Sequence, residues 1–86
     1  MNLRHAAALA LVGWYLMVPP LTSDNKILDA APIAEWQILD SFDTAQHCDN
    51  TRFRLMVASE NAEAWRHERA LRSACISTDD LRLKPK

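Results

Sequence analysis

The chain has 86 residues, 49% of them hydrophobic, with ten Lys and Arg against eleven Asp and Glu, one Gly, four Pro and two Cys. That length holds one small domain at most, and a formal net charge of −1 gives no electrostatic reason to expect nucleic acid or an anionic membrane surface as the main partner. A single glycine excludes phosphate loops and dinucleotide fingerprints, which need several so that backbone amides can approach the phosphates.

Met1 to His5 carries the free amine, Arg4 and His5, and Ala6 to Val18 is then uncharged and almost wholly apolar. A short basic region leading into about thirteen apolar residues is the pattern of an export signal. No polar residues recur in it at the 3.6-residue period of an amphipathic core helix. Residues 1–21 are therefore expected to form an N-terminal hydrophobic helix, either a signal peptide or an uncleaved signal anchor. Small residues one and three before a cut are missing near Pro19, Pro20 and Leu21, and Ser23 is a weak cleavage candidate. Retention has its own difficulty. Ala6 to Leu21 would cover about 24 Å as a helix against a hydrocarbon core of about 30 Å, and Pro19 and Pro20 would stop the helix early. Arg4 and His5 favour an N-terminus in the cytoplasm with the remainder sent out. The expected location is the cell envelope: anchored in the inner membrane through residues 6–21, or periplasmic or secreted if the leader is removed.

Thr22 to Pro32 is polar, without a sustained period, and reads as a linker. Residues 33–86 then form a small extracytoplasmic domain whose core is short of large apolar side chains; natural domains of this size usually add a disulfide, a metal or a partner. Ile33 to Leu39 places Trp36 and Ile38 at alternate positions, which suits a short strand, with a helical turn as the competing reading.

Asp43 with Gln46 three residues on is close to a capping box. The helix that follows, Thr44 to Ala58, brings Ala45, Cys48, Arg52, Leu55 and Met56 to one face, with Phe53 and Val57 beside it. Ser59-Glu60-Asn61 is a polar break. A second helix, Ala62 to Ala74, aligns Ala64, Trp65, Glu68, Leu71 and Cys75. A single helix from Thr44 to Ala74 is the alternative, since no Gly or Pro lies between Pro32 and Pro85. In such a rod Cys48 and Cys75 would stand about 40 Å apart, against the Cα separation of roughly 6 Å that a disulfide needs. Pairing within the chain therefore demands a turn near Ser59 to Asn61. The expected fold class is mainly α: a signal or anchor helix, then a disulfide-linked helical hairpin, with one short strand at 33–39.

Both cysteines lie in the part that would be exported, where two cysteines in a small domain read first as one disulfide. The pair encloses about 28 residues, for which loop entropy predicts roughly 3.5 kcal/mol of stabilisation. Neither C-x-x-C nor C-x-x-C-H occurs. A metal site from His47, Cys48, His67 and Cys75 has suitable ligand types, but adjacent His47 and Cys48 point apart on a helix and the halves match no zinc spacing.

Glu60 and Glu63 precede Arg66, Arg69 and Arg72 along the second helix, in the order that suits its dipole. Glu63 with Arg66 or His67, and Glu68 with Arg72, are three or four apart, so this face reads as solvated and self-paired. Asp79-Asp80 lacks the loop spacing of a calcium site and reads as a turn or cap. His47 and His67 have no Ser nucleophile in a suggestive local pattern, and no hydrolase signature is present. Trp36 and Trp65 are core anchors in the simplest reading and partner-contact residues in the other.

Trp36, then Ser41-Phe42-Asp43-Thr44-Ala45 with Cys48, and later Cys75-Ile76-Ser77-Thr78-Asp79-Asp80 with Arg82-Leu83-Lys84, resemble a group of small exported or membrane-anchored bacterial proteins of unknown function. Gly13-Trp14-Tyr15-Leu16-Met17-Val18-Pro19-Pro20 is similar too, while the middle of the chain is not, and Leu81 stands where the group has Pro. The resemblance implies a bacterial origin and export, and no activity. The function expected is that of a non-enzymatic envelope protein acting by protein contact, as a small accessory subunit beside a membrane complex, with neither cofactor nor catalytic residue assigned. The alternative is a periplasmic metal or redox protein using Cys48, Cys75 and the histidines.

Overall fold

The apolar run that reads as an export or membrane helix supplies the middle strand of a sheet. The computed structural model describes residues 12–84. In it, Trp14–Val18 is strand β1, Gln37–Phe42 is β2 and Ala74–Ser77 is β3, in the order β2-β1-β3 with both pairings antiparallel. Two helices lie between β2 and β3, α1 over Ala45–Ala58 and α2 over Ala64–Leu71. Single 3-10 turns at Ile33–Glu35 and Leu81–Leu83 lie against each other.

A strand flanked on both sides and covered on both faces needs a continuous apolar sequence, and so does a membrane helix. Leu16, Met17 and Val18 are 2%, 1% and 2% exposed, so successive side chains on opposite faces of the sheet are all buried. The expected mainly α class is thus corrected to a three-stranded antiparallel sheet with two helices. The signal or anchor helix is corrected over 14–18; its beginning, residues 1–11, lies outside the described residues. Among the described residues no helix is long and apolar enough to cross a membrane.

Gly13 leads into β1. Its amide donates to Thr78 Oγ1 at 3.0 Å and its carbonyl accepts from the Thr78 amide at 2.9 Å. A Cβ at position 13 would stand 3.0 Å from the Phe42 carbonyl oxygen, so the lone glycine permits a close approach of β1 to β2. Pro19, fully buried, ends the strand where no further ladder donor is required.

The stretch expected to be a linker is a turn closed on itself. Leu21 and Ile27 form an antiparallel bridge, the Thr22 amide donates to the Lys26 carbonyl at 2.9 Å, and the Leu28 amide donates to the Pro20 carbonyl at 2.9 Å. Asn25 takes a φ of 63°, which Asn tolerates better than most side chains.

The expected strand at 33–39 is displaced. Ile33–Glu35 is a helical turn and the strand runs from Gln37 to Phe42. A break in register between Leu16 and Met17 leaves Leu39 without a partner on β1, the mark of a bulge.

Helix α1 starts one residue later than the capping pattern implies. Thr44 is the N-cap, its hydroxyl accepting from the His47 amide at 3.1 Å. Its end at Ala58 and the turn that follows are as the sequence reads, so the single rod does not form. The second helix stops at Leu71. Cys75 is therefore on β3 rather than on a helix face, because the Ile76-centred apolar segment is taken up by pairing with β1. Leu16 is opposite both Asp40 and Cys75, and these share one face of the sheet. Helix α1 covers that face, since it packs on all three strands and Cys48 bonds to Cys75.

Candidate functional site

The Cys48–Cys75 disulfide is present, joining α1 to β3 across 27 positions with a Cα separation of 6.1 Å. Cys48 is wholly buried. Beside it the Arg52 Nε donates to the Ser73 carbonyl at 2.7 Å, so the same two elements are tied twice. Both sulfurs are bonded to each other and are not available as thiolate ligands. His47 lies on α1 with its ring 5.0 Å from that of Phe42, while His67 is on α2. Among the described residues no three His, Cys, Asp or Glu side chains gather to hold a metal ion.

A groove of about 350 Å³ opens between α2, the end of α1 and the β1–β2 side of the sheet. Val18, Leu55 and Ala70 line it together with Leu39 and Trp65. Local sequence explains why these meet. Val18 is the last residue of β1, Leu55 lies one turn before the end of α1, and Leu39 is the bulged residue of β2.

The polar groups around the groove are organised. At the rim, the Trp65 indole N–H donates to Glu63 Oε2 at 3.2 Å and the Arg66 guanidinium donates to Glu63 Oε1 at 3.2 Å. These donors hold the Glu63 carboxyl below its ordinary value. Arg66 also sits over the Trp65 ring, 4.7 Å from its centroid, which fixes the indole against the groove. Arg69 is different. Its Nε donates to the Pro19 carbonyl at 2.8 Å and its Nη2 to Gln37 Oε1 at 3.0 Å. Both acceptors are neutral, and among the described residues no carboxylate lies within ion-pair distance of it. Burial pushes its guanidinium pKa down.

Ser59, 8% exposed, also lines the groove. Its hydroxyl donates to the Met56 carbonyl at 2.9 Å and lies 3.0 Å from His67 Nδ1. Eight positions separate this Ser and His, and only the turn between the helices brings them together, so no local pattern in the sequence signals the pair. The bond from Ser59 to Met56 satisfies one of the last carbonyls of α1 and occupies the hydroxyl proton. The bond to His67 then links the end of α1 to α2. No acidic group orients the imidazole among the described residues, and the pair serves as a structural clasp.

The two tryptophans separate. Trp65 forms a wall of the groove. Trp36 is half-buried, with its indole N–H donating to the Ala31 carbonyl at 2.9 Å, and it fastens the loop before β2. The expected pairs Glu63–Arg66 and Glu68–Arg72 both form, at 3.2 and 3.4 Å. Arg72 adds a bond to Asp29 at 2.7 Å that reaches back across the chain. Asp80 caps the 3-10 turn through the Arg82 amide, as an acid in a turn would, and pairs with the Arg82 guanidinium.

Compared with known protein families, curated proteins and solved structures, the chain matches none.

Proposed function

We propose that this is a non-enzymatic bacterial protein of the cell envelope, lying outside the cytoplasm and acting by contact between proteins. The observation that carries the reading is the groove, open and mainly apolar, with Trp65 on its wall beneath the Arg66 guanidinium. Trp, with Tyr and Arg, is enriched among the energetic anchors of protein interfaces. Leu39, 42% exposed, carries the apolar wall out to the surface along β2. The disulfide supports a location outside the cytoplasm, because reducing conditions inside the cell keep such pairs open. The resemblance read from Ser41–Ala45 with Cys48, and from Cys75–Asp80, to small exported bacterial proteins would imply the same location. The metal or redox alternative has less support, since the two cysteines are joined and His47 and His67 belong to different local contacts.

A photoreactive amino acid placed at Trp65 in the full-length protein, in intact cells, tests the reading. Irradiation is expected to give a discrete adduct with one partner protein, while the same group at Arg54 on α1 gives none. Recovery of the uncrosslinked chain alone from both positions would overturn it.

A further inference from the structure

Resting on the contact reading above, we infer that the groove takes the C-terminal end of a partner polypeptide, with apolar side chains along it and the terminal carboxylate on Arg69. Three observations converge on this ligand. The bonds from Arg69 to Pro19 and Gln37 tie α2 to the end of β1 and the first residue of β2, which places the guanidinium on the groove wall among its apolar residues. Arg69 is paired only with neutral acceptors, whereas Arg66 at the rim is already neutralised by Glu63. A half-buried guanidinium that keeps N–H groups free favours a carboxylate, which it meets through charge-assisted bonds. Leu39 lies on the groove wall and belongs to β2, an edge strand whose outer backbone groups have no strand partner among the described residues. An extended peptide can use those backbone groups and a fatty acid cannot, so the edge favours a polypeptide over a lipid.

The test uses the oxidised full-length protein, isotopically labelled, and three probes: N-acetyl-Ala-Leu-Val-Leu with a free carboxylate, the same peptide as its C-terminal amide, and decanoate. The free acid is expected to shift the Trp65 indole and Arg69 Nε signals and to bind about tenfold more tightly than the amide or decanoate, as loss of a charge-assisted bond implies. That comparison needs no variant and so survives any effect of mutation on folding. Arg69→Gln is expected to bring the acid down to the affinity of the amide, and Phe53→Ser, on the exposed side of α1, to change neither. Equal binding of acid and amide, shifts elsewhere, or no binding by the acid at millimolar concentration would overturn the inference. Tighter or equal binding of decanoate would overturn the polypeptide assignment in favour of a lipid. A partner crosslinked through position 65 together with any of these results leaves the contact reading standing and removes only the terminal carboxylate.

Discussion

Leu16 of β1 stands directly opposite Cys75 of β3, so the disulfide is anchored beside the most apolar part of the N-terminal run. The leader-like segment and the cystine belong to one core. Cutting the chain after Leu21 would remove the strand on which both β2 and β3 pair.

A chain beginning at Thr22 is accordingly expected not to fold, shown by an amide NMR spectrum without dispersion. In the full chain Leu16→Ala should cost about 2–5 kcal/mol in urea unfolding, the range for truncating a large buried aliphatic side chain. A well-dispersed spectrum from the shortened chain would show that β1 is dispensable.

Replacing both Cys48 and Cys75 with Ser should lower stability by about 3.5 kcal/mol through the loop-entropy effect. For a domain whose total stability is of the order of 5 kcal/mol, that leaves a large unfolded fraction at 37 °C. Thermal unfolding followed by circular dichroism, with and without reductant, measures it, and reductant should have no effect on the double variant.

Ser59→Ala removes the hydroxyl that bonds both the Met56 carbonyl and His67. A loss of about 1 kcal/mol is expected, with faster hydrogen exchange in the last turn of α1. His67→Ala should show a smaller loss and partial non-additivity with Ser59→Ala, since the two share one interaction.

Asp80 supplies a pH dependence. Hydrogen bonding from the Arg82 side chain and amide lowers its carboxyl pKa from 3.8 to about 2. Because the folded value lies below the unfolded one, the contribution to stability is present above about pH 4 and is lost as pH falls toward 2. Arg82 is exposed and Asp80 is at the surface, where solvent screens the pair, so the effect on unfolding is slight. A carbon-detected NMR titration is expected to place Asp80 near 2 in the wild type and back in the ordinary carboxylate range in Arg82→Leu.

Much of the second half of the chain could be read in advance because the signals are local. The polar break at Ser59 to Asn61, the end of α1 at Ala58, and the charge spacing of Glu63 with Arg66 and Glu68 with Arg72 depend on neighbours within about one helical turn. The pairing of Cys48 with Cys75 followed from there being two cysteines and from the turn that lets them meet, although Cys75 reaches it from a strand.

The N-terminal run and the groove could not be read in this way. Trp14–Val18 has the composition of a membrane helix and of a doubly covered strand alike, and only its two neighbours, β2 and β3, make it a strand. Trp65 is equally apolar whether it fills a core or walls a cleft. Arg69 lies on the same charged helix as Arg66 and Arg72, yet it alone of the three turns to Pro19 and Gln37. By itself the sequence determined the end of α1, the turn between the helices and a disulfide suited to an oxidising compartment. The tertiary structure decided which apolar segment lies inside and that Arg69 turns to neutral acceptors at the groove, since both depend on residues brought together from positions far apart in the chain.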